Sequence, residues 1–139
     1  PLQWPIPEAN KVYMYPEDTH HYALSTPEGI AEWQALVPYD GTVRPGPRAR
    51  PSTIAMSHQL QCLDVIRNAM VLPISPGDAQ GRNARDRCLN HTTQMVLRHA
   101  HAHVESARTD VTPRITDLTR SVHRCRDWRV PHDRMERSE

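Results

Sequence analysis

Apolar residues recur at helical spacing in three stretches of the chain, and each stretch predicts one helix. The first stretch begins with Thr26, whose residue type is favoured as an N-cap, followed by Pro27 in the first helical position. Ile30 and Trp33 continue the apolar pattern, which stops before Pro38. This pattern predicts a short first helix in which Trp33 is a core anchor.

The second stretch spans residues 53–72 between Pro51 and Pro73, and its apolar stripe consists of Leu63, Ile66 and Met70. The third stretch, residues 83–108, predicts the longest helix. Its regularly spaced side chains are Cys88, Thr92, Met95, Val96, His99 and His103. Two neighbouring helices of this length can supply the main packing layer of a small domain.

The remaining segments are rich in proline and predict loops or short extended pieces. Prolines prevent a useful helix before residue 22, although residues 12–15 have the composition of a short strand. Residues 38–52 predict a loop or a lid, with Asp40-Gly41 as a turn and arginines facing water or an acidic partner. After Pro113 a mixed segment of apolar and polar residues predicts a short strand or an irregular return.

These elements predict a mainly α fold with short extended segments: a small single domain of about three main helices and long Pro-rich loops. We divide the chain into an extended N-terminal arm (1–22), a helical domain (23–130) and a polar C-terminal tail (131–139). The length of 139 residues suits one domain of this kind.

Composition and charge exclude some classes of function. Thirteen prolines and the absence of Phe argue against a large regular sheet. The formal net charge is +1 and Lys11 is the only lysine, so electrostatics give no case for nucleic-acid binding. No apolar run is long enough to cross a bilayer, and the first residue is Pro rather than Met, so we expect an upstream segment to have been removed.

Three cysteines leave several pairings open. Cys62, Cys88 and Cys125 are compatible with one disulfide and a free thiol, with three thiols, or with intermolecular pairing. Residue spacing alone does not choose among these.

Three sequence features together resemble the fungal UstYa-like family, named after a protein of ustiloxin biosynthesis. The segment "STPEGIAEWQALVP" is similar to the family's opening segment, and "HRCRDW" carries its late element intact, as His123, Cys125, Arg126, Asp127 and Trp128. The family also has two His-x-x-His-Cys motifs. The first corresponds here to His58, Gln61 and Cys62, and the second to Ala84, Arg87 and Cys88. Arg98 stands where the family usually has a further cysteine.

The resemblance implies a role in secondary metabolism, where the family performs oxidative ring closure, oxygenation and halogenation. It implies a Cys62–Cys88 disulfide, with Cys125 as the remaining thiol. Family members usually carry an amino-terminal transmembrane helix, so we expect a secretory-lumen or endomembrane location, through an anchor missing from this chain. The sequence leaves open whether the protein is a homo-oligomer.

The family's motif histidines are its presumed metal ligands, and this chain keeps only His58 of the four. An amide, a methyl group and a guanidinium do not replace imidazole nitrogens as copper or iron ligands. We therefore expect no metal and no other cofactor. The alternative is a relocated copper or iron site, for which His99 and His103 have the helical i, i+4 spacing of a shared-metal pair.

The resulting functional hypothesis is a non-redox ring closure, such as a cycloaddition, on a small organic pathway intermediate. Confinement and hydrogen bonds supply the catalysis. The candidate catalytic residues are His58, Gln61 and His123. The candidate substrate-binding residues are Arg87, His91, His99, Arg126, Asp127 and Trp128. The alternatives are a metal-dependent oxidase like the relatives, and a non-catalytic partner of an active paralogue.

Overall fold

The structure, a computed structural model, describes residues 8–17, 19–102 and 122–137. Within these ranges the helices are α1 (Pro27–Ala35), α2 (Ala55–Val71), α3 (Ala79–His99) and α4 (Arg129–Glu136). Two short antiparallel ladders pair β1 (Lys11–Met14) with β4 (His123–Arg126) and β2 (Thr42–Val43) with β3 (Ser52–Thr53). The predicted class, a small and mainly α single domain with short extended segments, is confirmed.

Helix α1 begins as its sequence predicts. The Thr26 hydroxyl accepts a hydrogen bond from the main-chain N–H of Gly29 at 3.1 Å, and Pro27 occupies the first turn. The cap satisfies a donor that the helix itself cannot pair. Trp33 is half-buried rather than deep in the core.

Helices α2 and α3 pack side by side in antiparallel directions, since Cys62 lies opposite Cys88 and His58, one turn earlier, lies opposite His91. Asp78 caps α3 by accepting a hydrogen bond from Gly81 N–H at 2.8 Å. This helical pair is the largest packing unit of the fold.

Helix α3 ends at His99, and the prediction that it continues to residue 108 is wrong. Ala100 adopts a left-handed conformation with φ 41°, and its N–H bonds to the oxygen of Val96. Residue type gives no signal for this end, because Ala is the strongest helix former and Gly is the usual residue at a left-handed cap. The mixed segment predicted after Pro113 lies outside the described residues, apart from Val122.

The segment predicted as a loop or lid is closed on itself by the β2–β3 ladder, which pairs Thr42 with Thr53 and Val43 with Ser52. Val43 of β2 is almost fully buried, at 2% exposure, together with Cys62 and Met135. The hydroxyl of Ser57 in α2 donates to the sulfur of Met135 in α4 at 3.0 Å. The core therefore joins β2, α2 and α4, and the part of the predicted tail between residues 131 and 136 is helical and belongs to this packing.

Candidate functional site

A polar pocket of about 340 Å³ lies between α1, the turn that follows it and α2. Its lining residues are Trp33, Gln34, Val37, Asp40, Gln61 and Asp64. Of the residues selected from the sequence as catalytic, Gln61 belongs to this lining. The volume is at the lower end of the range of roughly 300–1,000 Å³ usual for small-molecule sites.

The turn Pro38–Gly41 forms one wall of the pocket with an unusual backbone. Tyr39, Asp40 and Gly41 are all left-handed, with φ values of 50°, 53° and 66°. Each non-glycine residue in this region costs about 1 kcal/mol or more, and such strain is concentrated at functional sites. Gly41 also permits close packing, because a Cβ there would lie 2.8 Å from the Cβ of Ser57.

Gln61 connects α2 to this turn. Its side-chain Nε2 donates a hydrogen bond to the main-chain oxygen of Asp40 at 2.6 Å. A glutamine amide has two N–H donors and one oxygen acceptor, so one donor and the acceptor remain for a ligand. The bond fixes the orientation of the amide before any ligand arrives.

Trp33 is positioned by its own hydrogen bond. The indole N–H donates to the main-chain oxygen of Tyr22 at 2.9 Å, and the Tyr22 ring stands edge-on at 5.7 Å between centroids. The indole has one donor, which this bond uses, so the ring offers only aromatic surface to the pocket. The sequence predicted Trp33 as a core anchor and missed its place in a pocket.

Glu32 ties the chain before α1 back onto that helix. Its carboxylate accepts hydrogen bonds from the ring of His21 and from the main-chain N–H of Tyr22, both at 2.6 Å. The bond with Glu32 raises the pKa of His21, and the bonds with His21 and Tyr22 lower the pKa of Glu32. These bonds hold Tyr22 in place, and its main-chain oxygen is the acceptor that positions Trp33.

Asp64 forms an ion pair with a buried arginine. The guanidinium of Arg67, only 5% exposed, donates to the Asp64 carboxylate at 2.7 Å, to the Leu24 oxygen at 2.5 Å and to the Asn68 side chain at 2.8 Å. The i, i+3 spacing on α2 is a signal for an ion pair, but spacing does not reveal that the pair is partly buried. The charge of Asp64 is balanced by this partner.

His58 lies outside this pocket on α2 and is exposed to solvent. Its ring stacks on that of His91 in α3, with 4.1 Å between centroids and 25° between planes. The structure thus joins one predicted catalytic residue to one predicted substrate-binding residue. One turn further along, Cys62 and Cys88 lie at disulfide-bonding distance with 4.7 Å between Cα atoms, which confirms the predicted pair.

Two buried polar atoms beside this stack have no hydrogen-bond partner within the described part of the chain. They are Nε2 of His91 and the hydroxyl of Thr92. Buried polar atoms of this kind are uncommon and often mark a place where water or a ligand binds.

The residues that correspond to the UstYa-like motifs, together with the neighbouring His91, present few ligand groups for copper or iron. Imidazole lone pairs lie in the ring plane, so two nearly parallel stacked rings do not direct them at one point between His58 and His91. Gln61 is bonded to Asp40, and Ala84 and Arg87 supply no metal donor. Of the alternative pair, His99 is exposed at the end of α3, and His103 lies outside the described residues.

His123, the third predicted catalytic residue, is on β4 and not in the pocket lining. It pairs across the ladder with Met14, and its ring lies 5.7 Å from that of His101. Arg87 is exposed on α3, and Arg126 is exposed on β4 opposite Lys11. The structure therefore distributes the predicted site residues over several surfaces.

Asp127 and Trp128 have partners at the start of α4. The Asp127 carboxylate accepts hydrogen bonds from the guanidinium of Arg129 at 2.8 Å and from its N–H at 3.1 Å, and the guanidinium lowers the pKa of Asp127. Trp128 stands edge-on to His132 at 5.6 Å. Asp127 therefore bonds the start of α4, and Trp128 packs against a side chain of the same helix.

Two further features of the surface were not anticipated from the sequence. Donor atoms of His132, Asp133 and Glu136 lie within 4.8 Å of one another, but both carboxylates are exposed and such exposed acidic groups are common without an ion, so we assign no metal to them. An open, apolar groove of about 310 Å³ lies between α2 and α3. Its lining is Ile66, Leu89, Thr92, Thr93, Val96 and Leu97.

Comparisons with protein-family models, curated proteins and solved structures found no match. Among the described residues, none of the helices combines the length and apolar character needed to span a membrane.

Proposed function

We propose that the protein is an enzyme of secondary metabolism that closes a ring in a small organic intermediate without oxidation or reduction. The reaction takes place in the pocket between α1, the Pro38–Gly41 turn and α2. The observation that carries the proposal is the Gln61–Asp40 hydrogen bond, which holds a polar side chain in fixed orientation against a strained turn.

The pocket supplies what such a reaction needs. A cycloaddition or an intramolecular addition is slow mainly because the flexible chain must bring two reacting ends together, and confinement removes much of that entropic cost. Trp33 and Val37 offer apolar surface against which the chain folds. The remaining N–H of Gln61 donates to a carbonyl of the substrate and withdraws electron density from the conjugated bond that reacts.

His58 is a second, separate candidate because it does not line the pocket. It lies three residues before Gln61 on α2, and its ring is held by His91. We propose Gln61 as the residue that contacts substrate and retain His58 as a predicted catalytic residue to be tested beside it.

The test uses the intermediate that accumulates when this gene is deleted in its host strain. Purified protein is incubated with that compound, and the product is measured by mass spectrometry. Ring closure without redox chemistry gives a product of unchanged mass, in the absence of oxygen and in the presence of a chelator. A product lacking two hydrogens, formed only with oxygen and a transition metal, would establish the oxidase alternative.

Variants locate the reaction. Gln61→Met keeps the length of the side chain and removes its hydrogen bonds, so turnover falls by roughly a hundredfold. Gln80→Met, at an exposed glutamine of α3, is the matched control and leaves turnover unchanged. His58→Ala is compared with His20→Ala, an exposed histidine before α1. Absence of turnover by the isolated protein, restored by adding an active paralogue, would instead support the non-catalytic partner.

A further inference from the structure

The pocket has an unbalanced negative charge. Two of its lining residues are acidic, Asp40 and Asp64, and none of the lining residues is a lysine, arginine or histidine. Asp64 is neutralised by the buried Arg67. The carboxylate of Asp40 has no hydrogen-bond or ion-pair partner in the described part of the chain.

Several hydrogen-bond acceptors lie beside this carboxylate. The bond from Gln61 leaves the oxygen and one N–H of its own amide free, and the main-chain oxygen of Asp40 has a second lone pair. A ligand that fits these groups carries positive charge and several N–H donors. An anionic ligand would meet repulsion from Asp40 without any cation in the lining to compensate.

Trp33 adds a favourable surface for the same charge. Its single donor is bonded to the Tyr22 oxygen, so the indole can contribute its ring but no hydrogen bond. Ammonium groups are attracted to the face of an indole, more strongly than to other aromatic rings. A carboxylate and an indole lining one pocket are a common combination for recognising amines.

From these features we infer that the pocket binds a compound bearing a protonated amine, whose ammonium group is attracted by the Asp40 carboxylate and by the ring face of Trp33. This inference rests on the proposed function and specifies the substrate class for that pocket. The arginines selected from the sequence as substrate-binding residues, Arg87 and Arg126, are exposed on other elements and do not line this pocket.

The test is a binding titration followed by NMR on the full chain, with three probes of similar size. These are 2-phenylethylammonium, the neutral 3-phenylpropan-1-ol and the anionic 3-phenylpropionate. The indole N–H signal of Trp33, assigned with Trp33→Phe, and the side-chain amide signals of Gln61 report on the pocket. We expect saturable shifts with the ammonium probe, much weaker shifts with the alcohol and none with the carboxylate.

Asp40→Asn is the decisive variant. Asparagine tolerates left-handed backbone well, so the turn is kept while the charge is removed. Affinity for 2-phenylethylammonium should fall roughly tenfold, the usual effect of losing a charged hydrogen-bond partner. Glu8→Gln, which removes an exposed carboxylate outside the pocket, should leave the affinity unchanged. Binding should also weaken with added salt.

Tighter binding of the carboxylate than of the ammonium probe, or an Asp40→Asn variant with unchanged affinity, would overturn the inference. Neither result would affect the proposed ring closure, which is measured separately by mass-conserving turnover and its dependence on Gln61. Conversely, charge-dependent amine binding without turnover would support the amine site and refute the ring-closing activity.

Discussion

The side-chain amide of Gln61 on α2 donates a hydrogen bond to the main-chain oxygen of Asp40, 2.6 Å away. The bond joins a regular helix to a turn with two consecutive left-handed non-glycine residues, Tyr39 and Asp40. Such a turn is stable only if its surroundings hold it. The same contact therefore stabilises the turn and holds a polar side chain in the pocket.

Replacing Gln61 with Met should lower the free energy of unfolding by about 1 kcal/mol, the usual net value of one hydrogen bond. Urea unfolding followed by circular dichroism measures this loss. Gln80→Met on α3, which removes an exposed amide, should change it by much less. Equal stability of the wild type and Gln61→Met would show that the turn is held by other contacts.

Asp64→Asn should destabilise the protein by about 3 kcal/mol, because it leaves the guanidinium of Arg67 buried without its counter-ion. Asp86→Asn is the matched control, since Asp86 pairs with Arg85 on the exposed side of α3. That change should lower the free energy of unfolding by less than about 0.5 kcal/mol. Urea unfolding of the two variants at one salt concentration tests the difference, and similar losses would argue against a buried charge pair.

The disulfide pair closes a loop between residues 26 positions apart, Cys62 and Cys88. Closing a loop of that length stabilises the folded state by roughly 3 kcal/mol, through the reduced entropy of the unfolded chain. The variant with both cysteines changed to Ala should lose at least this amount relative to the oxidised protein, and its unfolding should no longer respond to a reductant.

Cys125→Ser provides the control for that experiment, because Cys125 on β4 is the free cysteine of the described structure. This variant should keep the full response to the reductant. In denaturant without reductant, one thiol should react in the wild type and none in Cys125→Ser. Three reactive thiols in the wild type would rule out the pair.

The contact between His21 and Glu32 predicts a pH dependence. The bond raises the pKa of His21 and lowers the pKa of Glu32. The contact stabilises the folded state fully at pH values between the unfolded-state pKa of Glu, about 4.3, and that of His, about 6.5. It is lost as the pH rises through the folded-state pKa of His21, and lost as the pH falls through that of Glu32.

Glu32→Gln should therefore return the pKa of His21 towards its ordinary value, as measured by NMR titration of the imidazole. It should also reduce the stability difference between pH 6 and pH 8. Glu28→Gln, an exposed change on the same helix, should leave the His21 titration as it is. An unchanged pKa of His21 in Glu32→Gln would contradict a contact between these two side chains in solution.

Local sequence signals predicted the helices well where each end has a physical cause nearby. Thr26 and Pro27 mark the start of α1 because a cap and a proline act within one turn. Apolar spacing predicted α2 and α3 because both helices pack along one side. The end of α3 was missed, since Ala100 adopts a left-handed conformation that its residue type does not favour.

The site was only partly predictable. Gln61 was selected through a family resemblance, and its partner is a main-chain oxygen, which every residue has and no sequence pattern marks. Trp33 was recognised as an important aromatic residue, but its place in a pocket depends on how α1 meets α2. The His58–His91 stack requires two helices in one particular register, and His91 is outside either motif.

By itself, the sequence determined the mainly α class, the start of α1 and the approximate extent of α2, because propensity, capping and apolar spacing act over a few residues. Tertiary structure alone decided which groups meet: Asp40 and Gln61, Asp64 with a buried Arg67, and the packing of α4 against the core. The first and the last of these contacts join positions far apart in the chain, and the second depends on the burial of Arg67. Their energies depend on burial and orientation, which a linear pattern of residue types does not specify.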